Sequence, residues 1–402
     1  MPPTSAGPLS GVRVVDLTMW IQGPIAATLL ADMGADVIKV EKAGMGDHGR
    51  FLTTLYGVDV RRGDAPNLLW TMCNRNKRGL ALDLRHDKAK PVFEALVRGA
   101  DVLVTNLLPG PLADFGADEA SVRAINPRIV YARAAGFGEL GPRAEDPCQD
   151  TVGMAYAGFL WTCSNDGERP YYPPGAMSDQ LSGTMMAFGV LGALLERART
   201  GEGQYVATSQ LQALMWMQSL NIGAAANLGQ PFEVSDRVAP PNPMFNTYRC
   251  GDGRWIALGM AVPLMWGRMC EAIGLEALAT DPRFAEMGER RRNAGEAVRI
   301  LDAHFLTASS EHWLDRLRAG GIWVAPINKV EDLLDDEQVR ANGYLLEADD
   351  GSRAPRMPFT IRGHEPGRAS APAHGQHTDA VLAELGFSEE ERLALRVEGV
   401  TW

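Results

Sequence analysis

The chain has 402 residues, of which 46% are hydrophobic and 22% charged, with a formal net charge of −11. That length buries a large core and points to two or three domains. The acidic balance excludes nonspecific nucleic-acid or anionic-membrane binding, both of which need a positive surface, so any anionic ligand must meet a local basic patch.

In chain order, "GVRVVDL" predicts a β-branched strand, "GPIAATLLADMGA" a helix with Pro24 in its first turn, and "DVIKVEK" a second strand. A strand–helix–strand unit implies a parallel pair with a right-handed crossover. Further units follow: a helix over 87–98, the strand "DVLVTN" at 101–106, a helix over 117–125 and the strand "RIVYARAAGFG" at 128–138. The alternation predicts an open, Rossmann-like α/β parallel sheet whose ligand lies beyond the carboxyl ends of the strands. The first strand-to-helix turn reads Thr18-Met19-Trp20-Ile21-Gln22-Gly23-Pro24. With one glycine, and Trp20 where backbone would have to approach a pyrophosphate, it argues against a nicotinamide dinucleotide site. Glu41, placed like a ribose-binding acid, reads as a solvated strand end.

The next distinctive stretch, "GAMSDQLSGTMMAFGVLGALLERARTGEGQ", sets Asp179 between a Gly- and Pro-rich loop and a run that is apolar nearly all round. Asp179 is either a helix cap or a reactive carboxylate at the mouth of a buried helix. From about residue 210 to 330 the texture changes. A Met-rich helical stretch, "LQALMWMQSLNIGAAANLG", is followed by a Pro-rich linker, a hairpin turn at Gly251-Asp252-Gly253, and helices to about residue 319. The Met and Trp residues at 214–217 and 265–269 read as core, with the lining of an acyl pocket as the alternative. A strand-and-loop region and a closing helix complete the chain. The organisation is therefore 1–205 for the N-terminal part of a large α/β domain, 206–325 for linkers and a smaller α+β domain, and 326–402 for a return to the large domain.

Five cysteines (Cys73, Cys148, Cys163, Cys250, Cys270) are scattered without a C-x-x-C pair, which indicates neither a disulfide framework nor a zinc site. His374 and His377, spaced i, i+3, have no third ligand in the sequence, so no metal is expected. "MPPTSAGPLSG" has no signal-peptide pattern, and no run of about 18 apolar residues occurs. A cytoplasmic protein with no membrane or nucleic-acid partner is the expectation.

Eight strings in order resemble the class III CoA-transferase family, the CaiB/BaiF-like group that includes carnitine CoA-transferase, formyl-CoA transferase and α-methylacyl-CoA racemase. They are "GVRVVDLT…GPIAATLLADMGADVIKVEKAGMGD", "NRNKRGLALDL", "VTNLLPG", "NPRIVYARAAGFGELGP", "MSDQLSGTMMAFGVLGALLERARTGEGQ", "DPRF", "WVAPINKVEDLL" and "GQHTDAVLAELGFSEEE". The resemblance spans Leu9 to near Val400. It implies an interlocked homodimer and a CoA-transferase that moves CoA from an acyl-CoA thioester to a carboxylic acid. CoA and acyl-CoA are then substrates, and no cofactor is permanently bound. Asp179 matches the family's nucleophile, which forms an aspartyl-acyl anhydride and then an aspartyl-CoA thioester. The matching CoA contacts are Trp20, Ile21, Lys42, Leu82, Arg85, Asn106 and Leu107. Arg75, Lys77, Arg78 and Arg85 form a basic cluster suited to phosphates, each with the alternative of being a solvated surface cation.

Two departures matter. Asp114 stands where many members carry an Arg after the Asn-x-x-Pro-Gly turn. Gln149 stands before Asp150 where the racemases carry a His, and Gln cannot titrate near neutrality. Racemisation or intramolecular CoA transfer is therefore the alternative, and Gln149 and Asp150 are candidates for orienting the site, Asp150 with the alternative role of a helix cap. The glycine-rich lid of formyl-CoA transferase is missing from "GDGRWIALGMAVPLMWGRM". A larger or more apolar acid, in contact with Trp161, Tyr171 or Tyr172, is the expected acyl group.

Overall fold

The structure, a computed structural model, describes residues 7–164, 168–260, 262 and 264–402. The chain forms two compact units: Met1–Leu160, Tyr172–Pro231 and Gly343–Trp402 make the larger, and Trp161–Tyr171 with Phe232–Asn342 the smaller. These units divide the chain elsewhere than the expected boundaries at 205/206 and 325/326.

The larger unit is built on six strands: β1 (Arg13–Leu17), β2 (Asp36–Glu41), β3 (Arg78–Ala81), β4 (Val102–Thr105), β5 (Val130–Ala135) and β6 (Tyr205–Ser209). Their order is β3-β2-β1-β4-β5-β6, and every pairing is parallel. This is a doubly wound sheet whose direction of winding reverses between β1 and β4, where ligand crevices form. Successive residues face opposite sides: Val14, Val37 and Val102 enter one apolar core, Val15, Ile38 and Leu103 the other. Both faces are covered, hence the unbroken β-branched runs. The "NRNKRGLALDL" and "GEGQYVATS" segments supply β3 and β6, which alternation alone did not reveal. β3 is only four residues long, and β6 follows its helix almost directly, after a short glycine turn.

The helices relevant below are α1 (Gln22–Asp32), α2 (Leu68–Asn74), α3 (Lys90–Arg98), α4 (Glu119–Ile125), α5 (Asp150–Tyr156), α6 (Met177–Thr200), α7 (Gln210–Met217) and α8 (Ser219–Leu228). The Met-rich stretch is two helices, because the chain turns at Gln218. Its Met215, Trp216 and Met217 are exposed, against the expectation that they are core. In the smaller unit, β7 (Phe245–Arg249) and β8 (Trp255–Gly259) pair antiparallel across the anticipated 251–253 turn, and β9 (Val324–Pro326) joins β8. Trp266 and Met269 pack with Tyr248, Phe305 and Trp313 in its core, as read from the sequence.

Two helices at the end of the larger unit, α9 (Thr378–Glu384) and α10 (Glu389–Val397), return to β3. His377 accepts from Gly79 N and donates its own backbone N–H to Gly79 O; Thr378 Oγ1 accepts from Ala81 N; Val400 O accepts from Asp83 N.

Helix α1 is buried at ten of its eleven residues, because it lies between the sheet and α6. The contact is close where α6 carries small residues: Ser182 Oγ accepts from Gln22 Nε2 at 3.0 Å. A Cβ at the adjacent Gly183 would overlap the carbonyl oxygen of Gln22 and crowd Ile25. Gly183 thus sets how near α6 comes to the first strand-to-helix turn. Gly183→Ala is expected to cost about 1–3 kcal/mol by overpacking, measurable as a lower denaturant midpoint with an unchanged slope.

Candidate active site

Helix α6 begins without a capping side chain of its own. Its N-cap is Ala176, a left-handed residue at φ 53°. Trp20 (φ 66°) and Tyr56 (φ 49°) are also left-handed, and all three line one cavity of about 640 Å³. Non-glycine residues held there store strain that surrounding contacts must hold. One such contact joins two of them: Ala176 N donates to Tyr56 Oη at 3.1 Å.

The missing cap comes from another helix. Asp150 is the first residue of α5, but its carboxylate turns to α6, where Oδ1 accepts from Ser178 N (2.8 Å), Ser178 Oγ (2.7 Å) and Asp179 N (3.3 Å). Its Oδ2 accepts from Tyr172 Oη at 3.1 Å, and Tyr172 Oη lies 2.8 Å from Tyr56 Oη. Asp150 therefore receives the donors that the helix offers an anion.

Asp179 sits in the same first turn and gets none of them for its side chain. Among the described residues its one donor is Gln210 Nε2, 2.5 Å from Oδ1. Burial, and next the Asp150 charge, push the Asp179 carboxyl up to about 7, with the Gln210 hydrogen bond opposing. Asp179 is thus no N-cap: it stands inside the first turn, faces the cavity, and its Oδ2 accepts from no donor among the described residues.

The strand ends bring the other expected residues together. Trp20, Ile21, Asn106, Leu107, Gln149, Asp150 and Asp179 all line the 640 Å³ cavity. Lys42, Leu82, Arg85 and again Leu107 line a neighbouring one of about 260 Å³. Met19, Leu107 and Pro111 border both, so the two adjoin at the sheet's switch point. There Asn106 clamps the first turn through its side-chain amide, accepting from Met19 N and donating to Met19 O, both at 2.8 Å. Asp114 borders neither cavity but lies with Arg85, His86 and Lys90 on a separate groove.

The basic cluster divides. Arg75 is taken by buried Asp32 (2.6 Å), Lys77 by buried Asp16 (2.8 Å), and Arg78 by Asp36 and Glu384 (2.7 Å each). Only Arg85, exposed and paired locally with Asp83, faces a cavity. Glu41 is also not a solvated end: it is buried and holds Arg50 in a fork at 2.6 and 2.7 Å. Tyr172 lines the cavity, whereas Trp161 and Tyr171 are exposed residues of the smaller unit. Gln210, Tyr56 and His48, whose ring stacks on Trp20 at 6.1 Å, join the site without having been expected from the sequence. No motif marks them, and chain distance hides their convergence.

The family model for CoA-transferase family III matches residues 9–378. The chain belongs to this family and is an enzyme of that class. It is 32% identical over 401 residues to the succinate–glutarate CoA-transferase of Agrobacterium fabrum, with 95% of this chain and 97% of that one covered. It is 31% identical over 366 residues to the acetyl-CoA:oxalate CoA-transferase of Acetobacter aceti, covering 90% and 92%. The solved structure of a CaiB/BaiF family protein from Brucella suis superposes with a TM-score of 0.84 at 28% identity, covering 95% of this chain and all of that one.

The raised Asp179 pKa has a consequence for stability. Between its ordinary 3.8 and about 7 the folded state binds the proton more tightly than the unfolded chain, so wild-type stability falls as pH climbs through that range. Asp179→Asn removes this loss. The variant is expected to be about 1–3 kcal/mol more stable than wild type above pH 7, with the difference shrinking towards pH 4. Thermal unfolding at several pH values checks it.

Proposed function

We propose that the enzyme moves CoA from an acyl-CoA thioester to a carboxylic acid through covalent intermediates on Asp179. The observation that carries this reading is a partly buried carboxylate of raised pKa, one oxygen free, in a cavity that adjoins a second, cation-bordered one. The nucleotide end of CoA fits the smaller cavity beside Lys42, Leu82 and Arg85. The pantetheine arm then passes Met19 and Leu107 to run along Trp20, Ile21 and Asn106. This brings the thioester to Asp179.

Oδ2 of Asp179 attacks the acyl carbonyl and expels CoA thiolate, leaving a mixed anhydride. The thiolate attacks Cγ of Asp179 and expels the first acid, which gives the aspartyl-CoA thioester. The acceptor acid attacks the same Cγ, expels the thiolate again, and forms a second anhydride. Thiolate attack on its acyl carbon releases the new acyl-CoA and restores Asp179. Covalent catalysis here splits one exchange between two poor nucleophiles into easier steps.

Leu52, Leu55, Leu69, Tyr56 and Tyr172 border the cavity and favour an acid larger or more apolar than formate or oxalate. No histidine borders the cavity among the described residues, so nothing there favours the racemase alternative. The interlocked homodimer is part of the same proposal. Exposed Phe188 and Leu195 on α6, with Trp216 and Leu220 on α7 and α8, offer an apolar surface for a second copy. Sedimentation at nanomolar concentration is expected to show a dimer; a folded monomer would refute the interlock.

Asp179→Asn and Asp179→Ala are expected to lose turnover by at least about 10³-fold while CoA affinity changes little, since its contacts lie on other loops. In wild type, kcat/KM should rise with pH through about 7, because the carboxylate form is the nucleophile. Enzyme quenched with acyl-CoA should carry a hydroxylamine-sensitive adduct on Asp179 by mass spectrometry. Full activity in the Asn variant together with an unmodified wild type would sink the mechanism.

A further inference from the structure

Gln210 is the first residue of α7, directly after β6, and 2% of its surface is exposed. Its backbone is fixed because Ser209 caps the helix, Oγ accepting from Gln212 N at 3.0 Å. Its side chain is held at both ends. Nε2 donates to Asp179 Oδ1 at 2.5 Å, and Oε1 accepts from Cys148 Sγ at 3.0 Å.

Burial pushes the Cys148 thiol up to about 11, so at neutral pH it keeps the proton it can donate to the amide oxygen, and the Asp179 carboxylate can only accept. The N–H group is therefore the end aimed at Asp179. The space is reserved as well: a Cβ at Gly153 would overlap Gln210 Oε1, and a Cβ at Gly136 would overlap Cys148. Two glycines, a thiol and a cap converge on the orientation of one buried amide. A packing residue would not need this.

We propose that Gln210 is a further catalytic residue, which holds Oδ1 of Asp179 and stabilises the negative charge that gathers on that oxygen when Cγ is attacked. The inference rests on the aspartyl mechanism above and separates its steps. When Oδ2 attacks an acyl carbonyl, the oxyanion forms on the substrate's oxygen, which Gln210 does not touch. When CoA thiolate attacks Cγ of the anhydride, a C–S bond forms, the Cγ=Oδ1 electron pair moves onto Oδ1, and its return expels the acid with Oδ2. Acceptor attack on the aspartyl-CoA thioester runs through the same Oδ1 oxyanion and expels thiolate. Both steps take place with the Gln210 N–H already on the oxygen that becomes charged, the requirement for a preorganised donor.

The test is Gln210→Met, which keeps length and bulk and removes the donor. The enzyme is mixed with acyl-CoA without acceptor, quenched with acid and weighed intact. Wild type should carry CoA on Asp179; the variant should stall with the acyl anhydride. Its kcat should fall about 10²–10³-fold, with KM for acyl-CoA within a few-fold of wild type. Turnover within threefold of wild type, or equal loss of both adducts, would overturn the assignment. Should the Met variant fail to fold, Gln210→Glu replaces it, since a glutamic acid donates to Oδ1 only when protonated. Its activity relative to wild type should then climb as pH is lowered, and a flat ratio counts against the proposal. Absence of any adduct from wild type would remove the covalent mechanism itself, and this role with it. Adducts in wild type beside an unimpaired variant would remove Gln210 alone.

Discussion

Two carboxylates meet at one helix N-terminus, and only one is satisfied by it. Asp150 takes the N–H groups of Ser178 and Asp179 and the Ser178 hydroxyl. Asp179, a neighbour within the same turn, is left with one amide donor and a like charge beside it. A helix N-terminus ordinarily steadies an anion. Here the steadying is spent on the residue that does not face attack, and the other carboxylate is kept poorly solvated. The left-handed Ala176, the Tyr56–Tyr172 pair and the close approach at Gly183 all hold this arrangement in place.

Charge is handled differently under the first turn. Asp16, Lys39 and Lys77 are all without solvent exposure, and Asp47 completes the group 3.2 Å from Lys39. Burial alone would push the Asp16 carboxyl up, but Lys39 and Lys77 more than offset it and hold it below its ordinary value. Such a cluster adds little net stability over an apolar one, and losing one member would strand the rest. Its geometry is nonetheless specific: Lys39 Nζ reaches Thr18 O at 2.5 Å, and Asp47 Oδ1 accepts from Trp20 N at 3.3 Å. These contacts pin the backbone on both sides of Met19. Trp20 keeps its left-handed conformation without a glycine.

The parallel sheet was legible because both of its faces are buried, which writes Val and Ile into consecutive positions of β1 and β2. Asp179 stood out for a related reason, as a lone acid leading an apolar run. The fates of Arg75, Lys77 and Arg78 were not legible. Their partners Asp32, Asp16 and Asp36 lie more than forty residues away in each case, so a local string of cations looked like a ligand patch. Gln210 was hidden similarly: a neutral side chain carries no local signal until strand order places β6 beside β5. Met215 to Met217 show the opposite failure, where apolarity was read as burial though the helix turns those residues outward.

The tail on β3 bears on how the molecule is made. β3 is the edge of the sheet, and an open edge invites pairing with other chains. Its backbone groups are taken by His377, Thr378 and, just beyond the strand, Val400, and Leu82 pairs with Thr401. Leu82 also borders the smaller cavity. During synthesis the edge therefore stays uncovered while more than two hundred and ninety further residues are added, from Ala81 to His377. An emerging chain carries a sticky strand until that stretch is made, and the wall beside Leu82 is finished only when Thr401 has joined it. Nascent chains halted before that point would aggregate through this strand rather than bind ligand.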